Sequence, residues 1–145
     1  MDGGSSILAF VQAGLKVCKG IWTYYNTWKD YREDVAFICD SLTGIEKTLT
    51  FLQDSMTARP KPPLNDAHDE SCRDAVQRCK ATMDRLSKKL GKIEDSSSSG
   101  GFRLQAKFQW ERVKYPLKES TILKLRDLLQ ETKSDLLLLL AALQL

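Results

Sequence analysis

A chain of 145 residues with 42% hydrophobic and 28% charged residues has enough apolar material to build one packed core. That balance excludes a disordered tail and an ordinary integral membrane protein. The net charge of +3 is mild but unevenly spread: residues 71–115 carry 11 basic and 5 acidic side chains, against 7 and 10 in residues 1–70.

The spacing predicts a first helix over about residues 5–29, capped by Ser5 or Ser6. Its apolar row is Leu8, Val11, Leu15, Cys18, Trp22 and Tyr25, widened by Ile7, Phe10, Val17, Ile21 and Trp28. Small residues recur at Ser5, Ala9 and Ala13, with Gly14 adjacent. That spacing lets two helix backbones approach closely, either inside a core or across a membrane or oligomer contact. Gly14 and Gly20 each cost a helix about 0.8–1 kcal/mol relative to Ala, so the helix needs small volume there or needs to move. The N-terminus has no basic segment ahead of an apolar run, so an intracellular, cytoplasmic protein with reduced cysteines is expected.

Asp30 followed by Glu33 resembles a capping box and opens a second helix over about 31–56. Its row is Val35, Ile38, Leu42, Ile45, Leu49, Leu52 and Met56. Pro60, Pro62 and Pro63 then impose a loop. A third helix is expected over about 66–94, capped by Asn65 or Asp66, with Cys72, Val76, Cys79, Met83, Leu86, Leu90 and Ile93 inward. Its outer face carries Arg73, Arg78, Lys80, Arg85, Lys88, Lys89 and Lys92, which fit an anionic partner or simply a solvated face. Asp95 to Gly101 reads as a flexible linker.

Phe102 to Tyr115 alternates like a strand, but no second strand is available to pair with it; it is read as a short helix over about 102–114. The last helix, about 117–143, carries Ile122, Leu125, Leu129, Leu136, Leu139 and Leu143 in one row, with Thr132 in the gap. Beyond Asp135 it is apolar all round, which reads as a central helix covered by the others. The expected fold is all-α: an antiparallel four-helix bundle with a short extra helix before the last one, forming one domain over residues 1–145.

Chemistry is sparse. No phosphate-binding loop, no metal-ligand spacing and no Ser/His/Asp or Cys/His set is present, and the one histidine, His68 beside Asp69, falls in a predicted loop. The chain reads as a non-enzyme without cofactor or metal. The aromatics Phe102, Phe108 and Trp110 are needed for burial, so nucleic acid is not the expected partner.

The order of elements resembles a known family. A small-residue-rich first helix (GSSILAFVQAG), the segment DVAFICDSLTGIEKTLTFLQ and a basic third helix come first. A Ser/Gly break and ERVKYPLKESTILKLRDLLQETKSDLLLLLAALQL follow. Together these look like the HeLo-like N-terminal domain of fungal STAND, or NOD-like receptor type, proteins. The step Tyr115-Pro116 is the most specific element; the family usually has a Lys-Trp-Pro type step there, and Tyr115 takes the aromatic place. The resemblance implies an effector domain of innate immunity and heterokaryon incompatibility, fused in relatives to a NACHT or NB-ARC domain. It implies programmed cell death by self-oligomerisation and permeabilisation of the plasma membrane through the N-terminal helix, with anionic lipids as partners. The matching segment runs from Ser5 through Ile7, Leu8, Ala9, Phe10, Val11, Ala13 and Gly14 to Leu15, and Tyr115 and Pro116 take the place of a hinge. The alternative is a non-lytic signalling or adaptor module that binds partner helices.

Overall fold

The computed structural model describes residues 3–58, 66–98 and 117–144, with side chains over 7–58, 70–95 and 117–144. It is all-α. Four long helices pack as a bundle: α1 (Gly3–Tyr25), α2 (Glu33–Ala58), α3 (Asp66–Ser98) and α4 (Glu119–Leu143). The expected short helix over 102–114 and the Tyr115-Pro116 hinge lie outside the described residues.

Sequential helices run in opposite directions, as the spacing predicts. The two hairpins, α1–α2 and α3–α4, meet side by side: α1 packs on α3, and α2 packs on α4. Across those seams the neighbours are parallel. Gly14 faces Met83 while Gly20 faces Leu90, and both sets of numbers rise together along α1 and α3. Likewise Arg32 reaches Leu117 and Arg126 lies 4.5 Å over the Phe37 ring.

The core is the sum of the four apolar rows. Ile38, Leu42, Ile45, Leu49 and Leu52 of α2 are buried, as are Leu86 and Ile93 of α3 and Ile122, Leu125, Leu129 and Leu139 of α4. Thr132 fills its gap as a buried hydroxyl donating to the Leu128 carbonyl of its own helix at 2.7 Å, so burial leaves no orphan.

Several boundaries differ from expectation, each for a local reason. α1 begins at Gly3, so Ser5 and Ser6 lie inside the first turns and do not cap it; a helix end shifts by a residue or two at little cost. It ends at Tyr25, and a single 3-10 turn, Asn26–Trp28, carries the chain toward α2. The Asp30–Glu33 capping box does not form. Glu33 is the first residue of α2; Arg32 precedes it, its carbonyl accepting from the Ala36 N–H at 2.9 Å, and the carboxylate of Asp34 in the first turn accepts from the Val35 N–H at 2.8 Å. Arg32 holds that carboxylate with two hydrogen bonds, at 3.2 and 2.8 Å, and donates a third to the Leu117 carbonyl at 3.0 Å. One guanidinium thus ties the α1–α2 corner to the chain entering α4.

His68 and Asp69 lie in the first turn of α3 rather than in a loop, and α3 runs on through Asp95 to Ser98, residues expected to be linker. The buried Ile93 anchors that end, and each further serine costs only a few tenths of a kcal/mol in helix propensity, so about one more turn follows. Lys118, extended at φ −61° and ψ 136°, precedes α4, and its carbonyl accepts the first helical bond from Ile122 at 3.0 Å. Gln144 closes α4 in the left-handed region at φ 61°, its N–H bonding to the Ala141 carbonyl at 3.1 Å.

The largest difference concerns the leucine run. α4 is not a central helix covered all round: Leu136 and Leu139 are buried, but Leu137 is 53% and Leu138 49% exposed. In a four-helix square every helix has an outer side, and a run of five leucines must put some of them there.

Candidate functional site

α1 has two unlike faces. Inward stand Ile7, Phe10, Val11, Val17, Cys18, Ile21 and Tyr25, all buried. Outward stand Ala9, Gln12, Ala13, Lys16 and Lys19, all exposed. Leu8 and Leu15 sit between, half-buried, and Leu15 packs on the core from its margin. The first helix is therefore seated at rest, with its apolar face spent on α2 and α3.

The small residues split between these faces. Gly14 is buried and marks a close approach: a Cβ there would stand 2.9 Å from Met83 Sδ and 3.0 Å from Leu49 Cδ1. Gly20 does the same one and a half turns on, where a Cβ would meet Leu90 Cδ2 at 2.7 Å. Glycine volume, rather than mobility, accounts for both residues. Ala9 and Ala13 are not part of that contact. They lie one turn apart on the exposed face, with Gln12 and Lys16 beside them. The side chain of Ser5 lies outside the described residues.

A second feature lies on the far side of α3. Arg85, Lys88, Lys89 and Lys92, spaced by three and four, face α4 along one stripe. From α4, Lys124, Asp127, Leu128 and Glu131 complete an open cleft of about 350 Å³. Arg85 and Glu131 pair across one end through both guanidinium nitrogens, Nη1 lying 3.2 Å from Oε1. That pairing pushes the Arg85 guanidinium up and the Glu131 carboxyl down from their ordinary pKa values. Lys88 pairs with Asp84 at 3.7 Å within α3. Arg78 continues the stripe two turns upstream of Arg85 without lining the cleft. Arg73 and Lys80 are exposed well round the helix. Of the seven cations expected to face an anionic partner, four converge. Lys124, which the sequence pattern did not single out, joins them from α4.

Below that cleft, Thr82 is buried and its hydroxyl lies 2.5 Å from the Asp135 carboxylate and 2.9 Å from the Arg78 carbonyl. This contact joins α3 to α4 where the leucine run begins.

The four cysteines are buried and none is in a disulfide. Burial pushes the Cys18 thiol up to about 12, with Glu46 adding to it, and the Cys79 thiol up to about 12, with Asp135 adding. Cys79 also donates to the Asp135 carbonyl at 3.4 Å. These are packed thiols, not nucleophiles. Their folded pKa lies above the value of 9.0 expected on unfolding, so the unfolded chain loses these protons first as pH rises. The stability they contribute is complete below about pH 9 and is lost as pH climbs toward about 12. Denaturation midpoints measured from pH 8 to 11 should fall less steeply for a Cys18→Ala/Cys79→Ala protein than for the parent. Parallel curves would place the alkaline loss in other groups.

Among the described residues no group of three or more His, Cys, Asp or Glu comes together as a metal site. No described helix is long and apolar enough to cross a membrane. Comparison with protein-family models, with curated proteins and with solved structures finds no match. Over its described residues the chain stands, on its own geometry, as a four-helix all-α bundle with a seated amphipathic first helix and a basic cleft between α3 and α4.

Proposed function

We propose that this chain is a HeLo-like N-terminal effector domain of a fungal NOD-like receptor type protein. Its action is regulated cell death: α1 leaves the bundle, several copies assemble, and the assembly permeabilises the plasma membrane. The observation that carries this reading is the division of α1. Its buried face (Ile7, Phe10, Val11, Val17) is apolar enough to meet lipid once exposed, and its outer face offers Ala9 and Ala13 for close helix contact. Gln12 and Lys16 lie on that same outer face. In a ring of helices they would face a water-filled lumen, which suits a helix that cannot span a bilayer alone. Twenty-three helical residues extend about 35 Å, enough for a hydrocarbon core of about 30 Å. The basic side of α3 would hold the domain at an anionic surface.

One observation favours the second reading, a non-lytic adaptor. Phe51 of α2 is 51% exposed, and Leu137 and Leu138 of the neighbouring α4 are about half exposed, an apolar surface suited to a partner helix.

The two readings separate in a lock experiment. Gly20→Cys with Leu90→Cys places two thiols where α1 and α3 already touch. Oxidised, the pair should hold α1 in place and stop dye release from anionic liposomes; reduced, it should restore release. The four native thiols are buried and do not compete for oxidation. Undiminished release from the oxidised protein would end the helix-release mechanism. Failure of the reduced, folded protein and of the parent to release dye would favour the adaptor.

A further inference from the structure

Two exposed apolar rows flank the outer groove between α2 and α4. Phe37 and Phe51 stand fourteen residues apart on α2, and Leu123 and Leu137 fourteen apart on α4. These are four of the six large apolar side chains exposed among the described residues, so the patch is not scatter. Fourteen residues make nearly four turns, so each pair lies along one line about 21 Å long. The two lines also share a midpoint. Gly44 is midway on α2 and Gln130 midway on α4. Arg32 bonded to Leu117, and Arg126 over the Phe37 ring, set the parallel register, and it brings Gly44 level with Gln130 to within about one turn.

Gly44 is the anomaly in its row. Glycine inside a helix is costly relative to alanine. Unlike Gly14 and Gly20, it makes no close approach within the bundle: a Cβ there would meet nothing within 4 Å. A second helix crossing at that point would use the missing volume. A two-fold axis through the shared midpoint lays α2 antiparallel on α2 of a second copy. Phe37 and Phe51 are equidistant from Gly44, so each meets the other on the mate, and Leu123 and Leu137 exchange in the same way. The charges agree. Asp40 and Lys47, both exposed, stand four residues before and three after Gly44, about 40° and 60° round the same side of the helix. The axis brings Asp40 level with Lys47 of the second copy to within about 1.5 Å along the helix, and does so twice. Neither forms an ion pair among the described residues of one copy. A parallel pairing would put the two charges on opposite sides of the contact.

We infer that the α2–α4 face binds a second copy of this chain, as an antiparallel two-fold dimer centred on Gly44. The face is four turns long and two helices wide, at the low end of protein interfaces, so the dimer is reversible, with a Kd of about 10–100 µM. α1 packs on α2 and α3, away from this groove, so the pairing leaves α1 in its seat and does not depend on the function proposed above.

The test is sedimentation equilibrium of the full chain over about 1–500 µM, a range that brackets that Kd. Gly44→Gln adds bulk at the crossing while improving helix propensity. It should melt no lower than the parent in dilute solution, yet dimerise at least about tenfold more weakly. Asp40→Lys sets like charges against Lys47 of the mate at both places and should weaken the dimer about tenfold. Asp40→Lys/Lys47→Asp reverses both pairs and should return to within about twofold of the parent. Thermal melting confirms the fold of each variant. A parent that stays monomeric to the top of the range leaves the face to a different protein and overturns the self-pairing. A dimer indifferent to Gly44→Gln lies on another face, and one that the double reversal fails to rescue has another register; either result overturns the inference.

Discussion

Ala9→Leu/Ala13→Leu should fold and melt like the parent and fail to release dye from anionic liposomes. Both alanines are exposed in the bundle, and leucine is a good helix former, so the change in stability should stay within about 0.5 kcal/mol. In an assembly of α1 helices the same positions form the seam, and added bulk separates backbones that small residues would let approach. The sign of the effect is informative. If release depended only on how apolar α1 is, four extra methyl-bearing branches would increase it. A fall of about tenfold or more in the release rate, with the melting curve unmoved, therefore points to helix–helix contact through Ala9 and Ala13. Release at or above the parental rate would dismiss that seam, and crosslinking on the vesicles would show whether oligomers still form.

The fold was legible where the apolar period was clean. In α2 every residue of the row from Val35 to Leu52 is buried, because a single stripe at three-and-four spacing has only one way to face a core. α1 was ambiguous for a physical reason: it carries apolar residues on more than a third of its circumference. Val11, Cys18 and Tyr25 of the expected row are buried, but Leu8 and Leu15 stand at its edge, and Ile7 and Phe10, expected only to widen the row, take the core. The phase was set by Gly14 and Gly20, which let α1 close on Met83 and Leu90 of α3, and no local pattern encodes which helix is the neighbour. In α4 the row Ile122, Leu125, Leu129, Thr132, Leu136 and Leu139 is buried as its spacing predicts; what the leucine run hid was that Leu137 and Leu138 beside that row stay uncovered. The cleft was half legible. Arg85, Lys88, Lys89 and Lys92 could be placed on one helix face, but Lys124 joins them only through the register between α3 and α4. The mirrored spacing of Lys124, Asp127 and Glu131 was the one signal available for it.

Val11→Asp should destroy the fold, while Leu8→Asp should keep the fold and lose the activity. Val11 is fully buried, so its replacement forfeits about 1.5–3 kcal/mol of apolar burial and places a carboxyl among side chains that cannot hydrogen-bond it. The carboxyl would be neutralised rather than buried charged, and even then adds about 1–3 kcal/mol. Together these approach the whole stability of an ordinary domain, about 5–15 kcal/mol. The melting midpoint should fall by at least about 10 °C, or the protein should be insoluble. Leu8, half-buried and at the edge of the core, allows a carboxylate to turn to water, at a cost of about 1 kcal/mol. Once α1 leaves the bundle, however, the same position borders the lipid-facing side about 8 Å from the start of the helix, where each copy bears part of the about 2.5–3.5 kcal/mol that a charge costs at the bilayer centre. An oligomer multiplies that cost. Loss of dye release by a folded, monomeric Leu8→Asp protein would then reflect the membrane step and not the fold. Full release by that protein would remove α1 from contact with lipid, and with it the permeabilising role proposed for this domain.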